Sequence, residues 1–179
     1  MTRAAVFLDR DGVINRAIVR HGSPHPPALP EDLEILPQVP EALRALKSQG
    51  YVLIVVTNQP DVARGTATRE SVNGIHERLR GALELDAILA CYHDDTDDCG
   101  CRKPRPGLLL QAADQFGIDL RSSFMVGDRW RDVEAGRRAG CRTFFIDYGY
   151  DEQPPLSCDF RVGSLMEASV LIAARCKFP

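Results

Sequence analysis

The fold of this chain is decided by the stretch Phe7-Leu8-Asp9-Arg10-Asp11-Gly12-Val13-Ile14-Asn15. The residues just before the first carboxylate, 4–8, are apolar and partly β-branched, which predicts a short buried strand. Asp9 and Asp11 then stand at the strand's carboxyl end, where open α/β sheets bind ligands. Such a pair could attract a divalent cation, supply a nucleophile and carry a proton. Alone, the triplet favours an ordinary surface turn, but the stretches that follow reverse that interpretation.

Further along the chain, polar residues again follow predicted strands. Thr57-Asn58-Gln59 comes after an apolar strand, and the Thr57 and Asn58 side chains could hydrogen-bond a phosphate oxygen. Asp128 comes after another strand and could complete the metal site begun by Asp9. Asp132 stands four residues on, where a helix starts, and we expect it to buttress that site.

A basic, proline-rich segment, Arg102-Lys103-Pro104-Arg105-Pro106-Gly107, lies between these strand ends in the sequence. Lys103 could place a point charge on a phosphoryl group, and Arg102 could bind a second oxyanion in bidentate fashion. The alternative is a solvated basic turn.

Strand and helix signals alternate along the chain, which predicts an α/β fold with a doubly wound, mainly parallel sheet. The predicted strands are 4–8, 51–56, 86–90, 123–127, 143–146 and an edge strand within 158–162; the predicted helices are 40–49, one capped by Thr68, 108–116, 133–139 and one opened by Ser164. His76 lies off the apolar stripe of its helix, so we expect it at the surface. Residues 16–38 have little periodicity and many prolines, which predicts a loop. We favour a lid or specificity loop for these residues, and a loop that only extends into solvent is the alternative.

Three thiols and one imidazole are concentrated within residues 91–101. Cys91, His93, Cys99 and Cys101 form a complete tetrahedral ligand set for structural Zn²⁺. A loop with incidental free thiols is the less favoured alternative. The three other cysteines have no motif partner and are expected to be buried or incidental: Cys141, Cys158 and Cys176.

Composition places the chain among ordinary globular proteins and limits its partners. With 179 residues, 26% of them charged, it is expected to form a single domain, 1–179. The net charge of −3 argues against a nucleic-acid partner bound through its phosphates. We also expect no membrane span and no secretory signal, and therefore a cytoplasmic location.

Four stretches in this order resemble the motifs of the haloacid dehalogenase superfamily of phosphatases: Asp9-x-Asp11-Gly12, Thr57-Asn58-Gln59, Arg102-Lys103-Pro104 and Gly127-Asp128-x-x-x-Asp132. The resemblance implies a Rossmann-like fold without a large cap domain and a metal-dependent phosphomonoester hydrolysis. Its implied catalytic residues are Asp9 as nucleophile, Asp11 as acid and base, Thr57 and Lys103. The implied Mg²⁺ ligands are Asp9, Asp128 and the backbone carbonyl of Asp11. The implied substrate-binding residues are Asn15, Asn58, Gln59, Arg64 and Arg102.

The cysteine loop narrows the resemblance to the small-cap branch that holds the heptose bisphosphate and histidinol-phosphate phosphatases, whose members are often monomers. The segments around Asn15, Arg64 and Lys103 resemble the heptose enzymes more closely. The short spacing between His93 and Cys99 resembles the histidinol-phosphate enzymes instead, and Asp61 stands where the heptose enzymes usually have glycine. A small phosphorylated substrate is expected in either case. A zinc-stabilised binding module without catalysis is the alternative from another class.

Overall fold

The structure, a computed structural model, describes residues 2–174. Its strands are β1 (Ala5–Leu8), β2 (Ile18–Arg20), β3 (Ser23–His25), β4 (Val52–Asn58), β5 (Ala87–Cys91), β6 (Phe124–Gly127), β7 (Arg142–Ile146) and β8 (Phe160–Val162). Its helices are α1 (Val39–Ser48), α2 (Arg69–Ala82), α3 (Gly107–Phe116), α4 (Trp130–Ala139) and α5 (Leu165–Ala173). Within the described residues, six strands form one sheet in the order β5-β4-β1-β6-β7-β8, and each neighbouring pair is parallel.

Helices cover both faces of this sheet, which explains why its central strand is apolar throughout. Val6 and Leu8 of β1 belong to the core under α1, α2 and α5. Ala5 and Phe7 belong to the core under α3 and α4. A strand with helices on both faces is buried on both, and all four residues of β1 are inaccessible to solvent. The predicted doubly wound, mainly parallel sheet is confirmed.

The segment 16–38 is more ordered than its sequence predicted. Strands β2 and β3 form an antiparallel hairpin whose two connecting residues, His21 and Gly22, have φ angles of 50° and 75°. Two successive positive φ angles give a turn whose twist matches that of a hairpin. Each strand has three residues and one of them contains Pro24, so neither is long enough to show a period in the sequence. The prediction of a plain loop was therefore wrong for residues 18–25.

The remaining elements lie close to their predicted positions, with one larger difference. Helix α4 begins at Trp130, three residues before the predicted start at 133, because Asp132 caps it by accepting a hydrogen bond from the backbone nitrogen of Arg129 (3.0 Å). Cys141 is buried and Cys158 partly buried, whereas Cys176 lies outside the described residues. In the part of the chain from 2 to 174, no helix has the length and apolar character needed to span a bilayer.

A close contact between α4 and the sheet generates the first prediction. A Cβ atom at Gly136 would lie 2.6 Å from the Cβ of Met125 on β6, whereas one at Gly81 near the end of α2 would meet nothing within 4 Å. The overpacking in Gly136→Ala should lower the free energy of unfolding by about 1–3 kcal/mol. Gly81→Ala, the matched control, should raise it by about 0.5–1 kcal/mol through helix propensity. Urea denaturation measures both, and a Gly136→Ala protein as stable as the wild type would contradict the contact.

Candidate active site

Polar side chains from four segments meet at the carboxyl edge of the sheet. Asp9 and Asp11 follow β1, Thr57 stands near the end of β4, and Asp128 follows β6. Because β1 pairs with both β4 and β6, these ends lie side by side. Lys103 reaches the same place from the loop between β5 and α3. This is the arrangement that parallel strands at a common edge predict.

Three carboxylates lie close together at this edge. Asp9, Asp128 and Asp132 each place an oxygen within 4.8 Å of the others, and all three residues are buried. Burial and the charge of Asp132 raise the pKa of Asp9 to about 6, although Lys103 opposes the shift. Burial and the charge of Asp9 also hold the pKa of Asp128 well above its usual range. The carboxylates of the cluster thus repel one another, and a positive charge close to them would stabilise it.

The carboxylate of Asp128 is the strongest sign of a missing partner. Both of its oxygens are buried, and neither accepts a hydrogen bond of regular geometry from the described residues, although the Tyr150 hydroxyl is near enough to offset part of the rise in the pKa of Asp128. Buried polar atoms are nearly always hydrogen-bonded, so an unpaired pair of oxygens needs an explanation. A divalent cation, which binds carboxylate oxygen directly, supplies one.

The Lys103 side chain is the positive group of the site. Its ammonium lies 2.7 Å from Oδ1 of Asp9 and 2.6 Å from Oδ1 of Asp132, and it donates to the carbonyl of Val56 at 2.8 Å. Burial alone would lower the pKa of Lys103, but the two carboxylates outweigh it and raise the pKa above its usual value. The lysine is therefore a fixed, fully charged group beside the candidate nucleophile.

Asn58 holds the backbone around this lysine. Its amide nitrogen donates to the carbonyl of Lys103 at 3.0 Å, and its carbonyl accepts from the backbone nitrogen of Lys103 at 3.1 Å. These two hydrogen bonds join the end of β4 to the basic loop. The peptide bond that follows Lys103, to Pro104, is cis. In this structure Asn58 positions Lys103, and its direct contact with a substrate stays a prediction.

Two other candidate substrate-binding residues instead contact Asp11. The amide nitrogen of Asn15 donates to Oδ1 of Asp11 at 2.9 Å, and that of Gln59 donates to Oδ2 at 2.9 Å. Gln59 also donates to the hydroxyl oxygen of Thr57 at 2.9 Å. Asn15 and Gln59 are buried, so the structure supports an orienting role for them. Their direct contact with substrate also stays a prediction.

His76 is buried, which corrects the sequence expectation of a surface position. Only 3% of the residue is exposed, and its Nε2 lies 3.1 Å from Nη1 of Arg10. The buried face of α2 is wider than its apolar stripe, because the polar end of Arg10 reaches below the helix. The apolar pattern could not reveal a histidine whose partner is a buried guanidinium.

A cavity of about 270 Å³ opens in front of Asp9 and Asp11. Four arginines line it: Arg64, Arg102, Arg129 and Arg131. Sequence reasoning proposed the first two and missed the others. A sequence signal for Arg129 and Arg131 was available, because both stand close to Asp128, at the start of a helix that begins at the carboxyl edge of the sheet. Asp132 also lines this cavity and is ion-paired with Lys103, so its position agrees with the expected buttressing role, which stays a prediction.

Each of these guanidinium groups is paired with a carboxylate. Arg102 lies 2.8 Å from Asp95, and Arg131 lies 3.0 Å from the same oxygen. Arg64, with an exposed side chain, lies 2.6 Å from Asp94. Arg129 is paired with Glu152. The cavity therefore has a basic rim whose charges are partly compensated before any ligand enters.

The β2–β3 hairpin forms one wall of the cavity. Ser23, Pro24, His25 and Pro26 all line it. Residues 23–26 thus border the site, and the role of the segment 16–38 as a lid or specificity loop stays a prediction.

The cysteine loop brings its four ligand atoms together. Sγ of Cys91 lies 3.5 Å from Nδ1 of His93, 3.6 Å from Sγ of Cys99 and 3.1 Å from Sγ of Cys101. Zinc–sulfur bonds of about 2.3 Å in a tetrahedron give sulfur separations of roughly 3.8 Å. The four residues could therefore hold a zinc ion after small adjustments.

Comparison with known proteins places the chain in a family. A model of the haloacid dehalogenase-like hydrolases matches residues 27–140, more than half of the chain. A D-glycero-beta-D-manno-heptose-1,7-bisphosphate 7-phosphatase from Vibrio cholerae is 39% identical over 155 residues, 80% of each protein. The chain belongs to the haloacid dehalogenase-like hydrolases. The family resemblance carried by the four motifs is confirmed.

Other relatives of this hydrolase agree with the assignment. The enzyme of the same name from Escherichia coli K12 is 39% identical over 151 residues, 78% of this chain and 76% of that protein. A crystal structure of D,D-heptose 1,7-bisphosphate phosphatase from B. bronchiseptica, complexed with magnesium and phosphate, superposes with a TM-score of 0.80 at 27% identity. That superposition covers 96% of this chain and 99% of the other.

Proposed function

We propose that this hydrolase is a Mg²⁺-dependent phosphatase that removes the 7-phosphate of D-glycero-D-manno-heptose 1,7-bisphosphate, through an aspartyl-phosphate on Asp9. The observation that carries the proposal is the buried cluster in which Lys103 contacts Asp9 beside the unpaired carboxylate of Asp128. The names of the relatives support the substrate. The basic rim supports a ligand with a second anionic group. A non-catalytic module would gain nothing from three buried carboxylates held together.

The residues of the cluster fit a divalent cation. When ionised, three carboxylates and the ammonium of Lys103 leave two negative charges unbalanced. Asp9 and Asp128 would hold Mg²⁺, together with the backbone carbonyl of Asp11 by family resemblance. When bound, Mg²⁺ neutralises charge on the phosphoryl oxygens.

In the first half-reaction, a carboxylate oxygen of Asp9 attacks phosphorus and the bond from phosphorus to the sugar oxygen breaks. Asp11 gives a proton to that leaving oxygen. The Thr57 hydroxyl accepts from Gln59, which leaves its own proton to donate to a phosphoryl oxygen. The ammonium of Lys103, which contacts Asp9, neutralises charge on the transferring group. Positioning and charge neutralisation thus do most of the work.

In the second half-reaction, water attacks the phosphorus of the aspartyl-phosphate. Asp11 lines the cavity and is partly exposed, so it can take a proton from this water. The bond between Asp9 and phosphorus then breaks, and inorganic phosphate leaves with the Asp9 carboxylate restored.

Arg102 is proposed to bind the phosphate that is not transferred, and Arg64 is a weaker second contact. Both line the cavity, and the Arg102 side chain is largely enclosed, at 11% exposed. A planar guanidinium in a fixed position suits bidentate binding of an oxyanion.

Structural Zn²⁺ bound by Cys91, His93, Cys99 and Cys101 is part of the proposal. The loop they form leads directly into Arg102 and Lys103, so a bound ion would hold both at the cavity. The cytoplasmic location stays a prediction. The monomeric state stays a prediction.

The nucleophile assignment is tested by Asp9→Asn. This variant should lose roughly 10⁴-fold or more of the Mg²⁺-dependent activity, because an amide does not replace the attacking carboxylate. Turnover of heptose bisphosphate, measured by phosphate release, checks the loss. Asp114→Asn, on an exposed face of α3, is the control and should keep wild-type activity. If the Asp9→Asn protein kept its turnover, the assignment of Asp9 as the nucleophile would be wrong.

The role of Arg102 is tested by comparing two substrates. Arg102→Ala should raise KM for heptose bisphosphate roughly tenfold to a hundredfold, because a charged hydrogen bond is lost. KM for phenyl phosphate, which has no second phosphate, should change little. Arg121→Ala, distant from the cavity, is the control. Equal effects on both substrates would remove the recognition role.

The same assay decides between the two candidate substrates, heptose bisphosphate and histidinol phosphate. Histidinol phosphate has no second phosphate, and the short spacing between His93 and Cys99 is what favours it. We expect kcat/KM for heptose bisphosphate to exceed that for histidinol phosphate. A higher kcat/KM for histidinol phosphate would instead identify histidinol phosphate as the substrate.

The zinc proposal is tested by metal analysis. The wild-type protein should contain one zinc per chain, and Cys99→Ser should lose most of it and with it some activity, because the loop before Lys103 loosens. Cys158→Ser, whose thiol belongs to no cluster, should keep both. A carefully purified wild-type protein without zinc would overturn the proposal.

A further inference from the structure

The mechanism leaves one buried charged residue unused. Arg10 stands between Asp9 and Asp11 in the sequence, and its side chain is completely buried. Its Nε and Nη2 atoms lie 3.0–3.2 Å from the two carboxylate oxygens of Asp11. The guanidinium thus holds Asp11 from the buried side, opposite the cavity that Asp11 lines.

A histidine from a distant helix holds this arginine in turn. Nη1 of Arg10 lies 3.1 Å from Nε2 of His76 on α2, 66 residues along the chain. Burial, and then the charge of Arg10, lowers the pKa of His76 to about 4. The imidazole is therefore neutral near pH 7. Because a guanidinium only donates, Nε2 of His76 is the acceptor and its proton is on Nδ1.

We propose that His76 is a positioning residue that acts through Arg10 to fix the Asp11 carboxylate where it exchanges a proton with the leaving oxygen. This rests on the proposed function, in which Asp11 is the acid. Asn15 and Gln59 fix the same carboxylate from two other directions. His76 is the member of this set that comes from outside the motif loops, so it couples the orientation of Asp11 to the packing of α2.

The chemistry of the leaving group separates positioning of an acid from general support of the fold. An alkoxide leaving from a sugar needs a proton, whereas 4-nitrophenolate is stable without one. The parameter kcat/KM reports only on steps up to transfer of phosphorus to Asp9, so the later attack by water does not enter it. Loss of a well-oriented acid should therefore lower kcat/KM for the sugar phosphate and spare that for 4-nitrophenyl phosphate.

The experiment compares His76→Leu with His76→Gln, whose amide oxygen can still accept from Arg10. His76→Leu should lower kcat/KM for heptose bisphosphate roughly tenfold, a fraction of the 10²- to 10⁴-fold that a whole acid contributes, with less than about a threefold change for 4-nitrophenyl phosphate. His76→Gln should restore most of the loss. Glu77→Gln, an exposed neighbour on α2, is the control and should match the wild type on both substrates.

Other outcomes overturn the inference or the function separately. Equal losses on both substrates, or no loss, in a folded His76→Leu protein overturn the positioning role. If His76→Leu does not fold, Arg10→Lys takes its place. This variant keeps the positive charge but loses the bidentate contact with the Asp11 carboxylate. The same leaving-group dependence is then expected, and its absence overturns the role. A wild-type protein without Mg²⁺-dependent activity on either substrate would overturn the proposed function instead.

Discussion

The ion pairs of Lys103 with Asp9 and Asp132 are the contacts on which the site depends. They join the loop after β5, the end of β1 and the first turn of α4, three parts of the chain that are distant in sequence. Removing one partner from a buried ion pair leaves an uncompensated charge, which is far more destabilising than the loss of an exposed pair. The geometry around the candidate nucleophile is therefore fixed by the same forces that hold these loops to the sheet.

Two glycines allow the carboxylates to approach this closely. A Cβ atom on Gly127 would lie 2.1 Å from the Cβ of Asp132, and one on Gly12 would lie 1.9 Å from an oxygen of Asp128. Gly12 also has a φ angle of 92°, which side chains with a Cβ rarely adopt. Gly12, which follows β1, and Gly127, which ends β6, thus set how closely the carboxylates can approach, and this gives their presence in the motifs a steric cause.

The sequence predicts the fold and the chemical groups of the site well, because both depend on local signals. Apolar runs identified each strand of the parallel sheet, and the parallel topology placed Asp9, Thr57 and Asp128 at a common edge. The missed features depend on contacts between distant residues. His76 is buried through Arg10, and the hairpin 18–25 is stabilised by a two-residue turn that no apolar pattern accompanies. Likewise, nothing in the sequence shows that Asn15 and Gln59 hold Asp11.

The basic rim indicates how the cavity could discriminate between ligands. Asp95 lies between Arg102 and Arg131 and compensates both guanidinium groups with one exposed carboxylate. A ligand that binds these arginines must replace that interaction, and a weakly charged group gains little over the carboxylate it displaces. A phosphate dianion offers more charge and more acceptor oxygens than Asp95 does, so it can bind both guanidinium groups at once. The internal ion pairs therefore oppose neutral sugars and favour a ligand with a second phosphate.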